Sequence, residues 1–149
     1  MKKLLLLLPL LLASAGIAQT PDAAPSPKAP AFKAHVLSRA EFDDLLKKPE
    51  KLLLIDVRRP DEVASVGGFP VYLSVQINDV PSSFAWIPKD RLIVTVSNHA
   101  ARAGKAADIL AAHGYRIAGA VGAEVYEKDG GKLTKIEQPA SPKAADATR

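Results

Sequence analysis

The sequence predicts an α/β domain built on a mostly parallel sheet, and three observations carry that expectation. Apolar runs of strand length alternate along the chain with segments whose apolar residues recur at helical spacing. The strongest runs, "KLLLIDV" (Lys51 to Val57) and "RLIVTV" (Arg91 to Val96), are apolar without alternation, as in strands covered on both faces. Both runs also end in polar residues, Asp56–Arg59 and Ser97–Arg102, where parallel sheets place their ligands.

The elements follow in order. "SRAEFDDLLKK" opens with a capping box, Ser38 with Glu41 three residues on, and puts Phe42, Leu45 and Leu46 on one helical face. The strand Lys51–Val57 comes next. "RRPDEVASVGG" then places Pro60 in a first helical turn and stops at Gly67-Gly68. "VYLSVQI", Val71 to Ile77, reads as a strand of poor alternation, and "PSSFAWIP" as a short helical turn. After the strand Arg91–Val96, a helix beginning near Arg102 sets Ala103, Ala106, Ala107 and Leu110 on one side. Gly114 ends it, with His113 at its negative end. "RIAGAVG" is a further strand, "AEVYEK" a short helix, and Asp129-Gly130-Gly131 a turn.

The ends have a different character. Lys2 and Lys3 precede the apolar stretch Leu4–Leu12, and small residues offer cleavage after Ala15 or Ala18. That stretch is too short to span a bilayer, so residues 1–18 read as a cleaved secretory signal, with no stable membrane insertion afterwards. Residues 19–34 hold four prolines and read as an extended linker. Residues 35–137 form the domain, and residues 138–149 a solvated tail. The expected destination is the periplasm or the exterior.

Composition removes several function classes. Loss of residues 1–18 takes two lysines and no acid, so the formal charge falls from +4 to +2. The remaining charges alternate in sign, which argues against a nucleic-acid surface. The chain has no cysteine. It therefore has no disulfide, lipid-attachment thiol or thiolate nucleophile.

In sequence order, four motifs resemble those of the rhodanese-like domains, a sulfurtransferase superfamily, over Val36 to Tyr126. "LLLIDVRRPDE" (Leu52–Glu62) resembles the strand ending in D-x-R. "GGFP" (Gly67–Pro70) resembles G-H-I-P, with Gly68 at the histidine position. "IPKDRLIVTV" (Ile87–Val96) resembles L-P-K-D-x-x-I-V-x-Y, and "ARAGKAADILAAHGY" (Ala101–Tyr115) the helix R-S-x-x-A-A-x-x-L-x-x-x-G-Y. The resemblance implies a central sheet of about five strands flanked by helices. Where active members carry C-x-x-G-x-R, this chain reads Ser97-Asn98-His99-Ala100-Ala101-Arg102, so only the arginine matches. The family's terminal G-G is Gly122-Ala123. Persulfide chemistry stores sulfur on a thiolate, which a serine hydroxyl cannot replace. Sulfur transfer by the family route is excluded.

Several readings of the loop residues remain open. Ser97 is either a lost nucleophile position or a hydrolase nucleophile, the latter requiring a base such as His99. Residues Ser97, Asn98, His99, Ala100, Ala101 and Arg102 form a candidate anion cradle, in which loop N–H groups and Arg102 hold sulfate, phosphate or thiosulfate. Alternatively Arg102 only starts the helix and faces solvent, and Ala100 suits a left-handed position poorly. Asp56 and Arg58 are either a pocket wall or a structural pair. His99, with only His35 and His113 elsewhere, has no metal-ligand spacing and reads as an exposed loop residue. Trp86 and Phe84 either flank a pocket mouth or pack as a satellite of the core. No cofactor or metal is expected. The leading functional expectation is a non-catalytic module that binds an oxyanion or a periplasmic partner protein. The alternatives are an enzyme of altered chemistry and a purely structural accessory domain.

Overall fold

The computed structural model describes residues 31–135. The expected signal peptide, most of the expected linker and the expected tail lie outside the described residues. Helix α1 (Arg39–Leu46) is followed by strand β1 (Leu52–Asp56), helix α2 (Pro60–Val66) and strand β2 (Leu73–Ser74). Two single 3₁₀ turns lead to β3 (Leu92–Ser97), α3 (Ala101–Ala112), β4 (Arg116–Gly122) and α4 (Ala123–Lys128). The strands are all parallel, in the order β2-β1-β3-β4.

Local chemistry explains most boundaries. Ser38 Oγ accepts from the Glu41 N–H and the Glu41 carboxylate accepts from the Ser38 N–H at 2.8 Å, so the capping box starts α1 as expected. Pro60 opens α2, where its missing N–H costs nothing. Gly114, at φ +82°, takes the left-handed turn that ends α3. Thr95 donates from Oγ1 to the Ala103 carbonyl at 2.8 Å, tying the middle of the sheet to the first turn of α3.

The core forms two layers, one on each face of the sheet. Alternate residues of the central strands divide between them: Leu54, Val94 and Val96 pack with Phe42, Phe69 and Tyr126, while Ile55 and Ile93 pack with Ala106 and Leu110. Phe42, Phe69 and Tyr126 meet edge to face at 5.0 to 5.4 Å between ring centroids. Both faces of β1 and β3 are thus covered, which is why these strands lack alternation. The small residues of α3 let that helix lie directly on the sheet.

Two expectations change. The sheet has four strands among the described residues rather than about five; beside β4, Val36 adds only an isolated parallel bridge to Ala120. Ser38 turns the chain into α1 immediately afterwards, leaving no length to pair. The strand expected over Val71–Ile77 shrinks to Leu73–Ser74, with Pro70 upstream and a 3₁₀ turn starting at Ile77. At the other end, packing begins before His35. Asp108 on α3 accepts from the backbone N–H groups of Lys33 and Ala34 at 2.7 and 2.8 Å, and Phe32 lies against Gly104.

Candidate functional site

The carboxyl ends of β1 and β3 lie side by side, with Asp56 opposite Val96 in register. This adjacency brings together residues some forty positions apart. Asp56 and Arg58 are fully buried and pair through two atoms each: Arg58 Nε donates to Asp56 Oδ1 at 2.9 Å and Nη2 to Oδ2 at 2.7 Å. Arg58 also donates to the Gly67 carbonyl at 3.0 Å and to Asn98 Oδ1 at 3.2 Å. Both side chains are buried and the hydrogen bonds of the guanidinium run to protein atoms, an arrangement that fits the structural-pair reading.

Arg102 does not lie free in solvent. It forms a two-pronged pair with Glu62 of α2, Nη1 to Oε2 at 2.8 Å and Nη2 to Oε1 at 2.5 Å. Hydrogen bonding to Arg102, reinforced by the Arg59 N–H, holds the Glu62 carboxyl at about 2, below the usual carboxylate range and against the opposing effect of burial. The same contact raises Arg102 above its ordinary value. Asn98 joins the two ion pairs, accepting from Arg58 and donating from Nδ2 to Glu62 Oε1 at 3.3 Å. One chain of contacts therefore runs Asp56–Arg58–Asn98–Glu62–Arg102.

Ser97 ends β3 and is 1% exposed. Its Oγ accepts the Ala103 N–H at 3.1 Å, satisfying one of the orphan donors of the first turn of α3. His99 points elsewhere: its ring is 70% exposed, with Nε2 3.3 Å from Glu124 Oε2 on α4. No hydrogen bond links it to Ser97 among the described residues. Ala100 takes φ +65°, the one non-glycine left-handed residue described, and its side chain is buried. The loop is held in that shape from beneath: a Cβ at Gly122 would meet Ala100 N and Asn98 O at 3.0 Å. Among the described residues, the backbone N–H groups of His99, Ala100, Ala101 and Arg102 have no acceptor.

No family model matches the sequence, and no curated protein matches it either. Solved structures do. A rhodanese-related protein from Thermoplasma volcanium superposes with a TM-score of 0.58 at 18% identity, over 69% of this chain and 98% of that one. This chain has the rhodanese-like fold. A rhodanese-like domain protein from Staphylococcus aureus gives 0.52 at 21% identity, over 58% of this chain and 84% of the other. A thiosulfate sulfurtransferase from Pseudomonas aeruginosa gives 0.56 at 18% identity, over 68% of this chain but only 20% of its own. With no cysteine anywhere, the present rhodanese-like domain fits a non-catalytic variant of that fold.

Glu62 is not singled out by the sequence, and the bridging position of Asn98, a named member of the candidate cradle, is not legible there either. Glu62 is visible in the sequence only as the acid of the strand motif, which carries no hint of Arg102. Asn98 was one member of a loop, and its bridging role depends on which strands are neighbours. Trp86 is 54% exposed and makes no part of the loop site. Phe84 instead stacks on His113 at 4.0 Å.

Proposed function

We propose that the chain is an exported, non-catalytic rhodanese-like binding module whose loop Ser97–Arg102 receives an oxyanion, free or carried by a partner protein. One observation supports this above others: four consecutive backbone N–H groups at the start of α3, His99 to Arg102, have no acceptor among the described residues, while the buried hydroxyl and both arginines beside them are internally engaged. Open N–H donors at the start of a twelve-residue helix favour negative charge. Arg102 then acts less as a free clamp than as the holder of Glu62, whose carboxylate competes with any incoming anion.

The hydrolase alternative has little to stand on. A nucleophilic Ser97 needs a base and an exposed Oγ, and here the Oγ is buried and His99 faces Glu124. Export follows from the reading of residues 1–18 alone, and a periplasmic partner follows from export.

The test is calorimetric titration of the full chain without its signal segment against sulfate, phosphate, sulfite and thiosulfate. Dissociation constants of about 1 mM or tighter, near 4 kcal/mol of binding, are expected for at least one anion. Glu62→Gln should tighten binding several-fold by removing the competing carboxylate, and Arg102→Ala should weaken it. No binding by the wild-type chain or by Glu62→Gln would overturn the oxyanion reading and leave a structural accessory domain.

A further inference from the structure

At the sheet edge away from β4, an apolar groove of about 500 Å³ separates β1 from the chain that leads into β2. Its walls include Leu46, Pro49, Leu52, Leu54, Val71 and Leu73. The groove exists because the ladder between β1 and β2 is incomplete. Strand β3 pairs with β1 from Leu52 onward, whereas β2 pairs only at Ile55–Leu73 and Asp56–Ser74. Pro70 has no N–H, and Val71, which ladder register would bring opposite Leu53, is instead 81% exposed.

The main-chain groups facing this groove follow from alternation along a parallel strand. The Val57 N–H donates to the Val96 carbonyl, toward β3, and the Asp56 carbonyl accepts from the Val75 N–H, toward β2. Residues 52 and 54 therefore face the groove. The Leu52 N–H turns back to the Pro49 carbonyl. The Leu52 C=O and the Leu54 N–H have no partner among the described residues. Leu54 is 6% exposed, so this donor stands unpaired in apolar surroundings, a costly arrangement that native structures rarely leave unmet. One acceptor and one donor two residues apart fit a single residue of an extended chain, which donates to the first and accepts from the second.

We propose that this groove docks an extended peptide of a partner protein by strand addition, with apolar side chains at alternate positions and an acidic residue at the end beside Leu52. A lipid or small apolar molecule fills the volume but cannot satisfy both main-chain groups. The acidic end answers the adjoining cleft beside Leu52, where Lys48 and Lys51, neither in an ion pair among the described residues, line the wall together with Asp44, whose carboxylate already holds Lys47. Glu50 is the one carboxylate between Lys47 and Lys51. This surface lies apart from the loop Ser97–Arg102, so it stands whether or not the loop binds anions.

The probe is the acetylated, amidated hexapeptide EVTVTV, added to the full chain without its signal segment. Expected results are saturable binding, slowed hydrogen exchange at the Leu54 amide, and at least tenfold weaker binding to Val71→Asp, an exposed substitution that leaves the fold intact. The lysine-started analogue KVTVTV should also bind more weakly, and N-methylation of the central valine should abolish binding. Absence of binding, or binding indifferent to Val71→Asp and to N-methylation, overturns the proposal. So does a Leu54 amide that is protected in the free chain and exposed on removing residues 136–149, which would make the chain's own tail the occupant. Concentration-dependent self-association lost in Val71→Asp would likewise assign the groove to a second copy.

Discussion

Ser97 occupies the position that the sequence resemblance assigns to the thiolate of active rhodanese-like domains, and its surroundings carry features that favour negative charge. It lies at the end of β3, its Oγ accepts the Ala103 N–H, and the N–H groups of His99 to Arg102 have no acceptor among the described residues. A cysteine placed there would be the sole thiol of the chain, so its titration reads the loop directly. Ser97→Cys is expected to ionise below about 8.5, because hydrogen-bond donation and the helix start favour the thiolate more than burial disfavours it. The pH dependence of alkylation by iodoacetamide measures this, and adding Gly122→Ala should erase the shift by pushing a methyl group against Ala100 and Asn98. A midpoint at or above the ordinary value would mean that desolvation dominates and the loop is not an anion site. At this scale the sequence was informative about residue types. It identified the missing nucleophile, the retained arginine and the left-handed demand on Ala100. It did not reveal that Arg102 is already engaged, since no local spacing relates Glu62 to a residue forty positions on.

Among the elements, α3 shows most clearly how sequence and packing interact. Its buried face of Ala103, Ala106, Ala107 and Leu110 was legible from helical spacing alone. The glycine inside it was not. Gly104 is an unfavourable helix residue by about 1 kcal/mol relative to alanine, and its reason is Phe32, which occupies the space a Cβ would need. Phe32 belongs to a segment read as linker, because a proline-rich stretch gives no periodicity from which to infer docking. Gly104→Ala should therefore destabilise the wild-type chain. In a Phe32→Ala background the same substitution should stabilise it by about 0.5–1 kcal/mol, as helix propensity is released from the clash. Urea denaturation of the four variants closes the cycle, and a stabilising Gly104→Ala in the wild-type background would show that Phe32 does not hold this position. The sheet edges are where extent differs from expectation: β2 is short, and beyond β4 there is only the bridge Val36–Ala120. There, pairing length depends on a proline or a cap next door rather than on the strand's own residues.

For the whole molecule, the chain of contacts Asp56–Arg58–Asn98–Glu62–Arg102 ties the end of β1, the start of α2 and the β3–α3 loop into one unit. Its outer pair makes the molecule's stability depend on pH in a definite sense. Glu62 titrates at about 2 in the folded chain, well below its ordinary value of 4.5, so the folded state binds fewer protons than the unfolded chain between those limits. The stabilisation is fully present above about pH 5 and is lost as pH falls toward 2. Because Arg102 is 35% exposed, solvent screens the pair, and about 1–2 kcal/mol is a fair magnitude at neutral pH. Other carboxylates titrate in the same range, so the decisive quantity is a difference. The stability gap between wild type and Glu62→Gln, measured by urea denaturation in steps from pH 7 to pH 2.5, should be widest at pH 7 and narrow steadily in acid. A gap that stays constant across the range would mean that Glu62 acts through packing rather than charge. The loop would then lack the built-in competitor that makes Glu62→Gln the tighter anion binder.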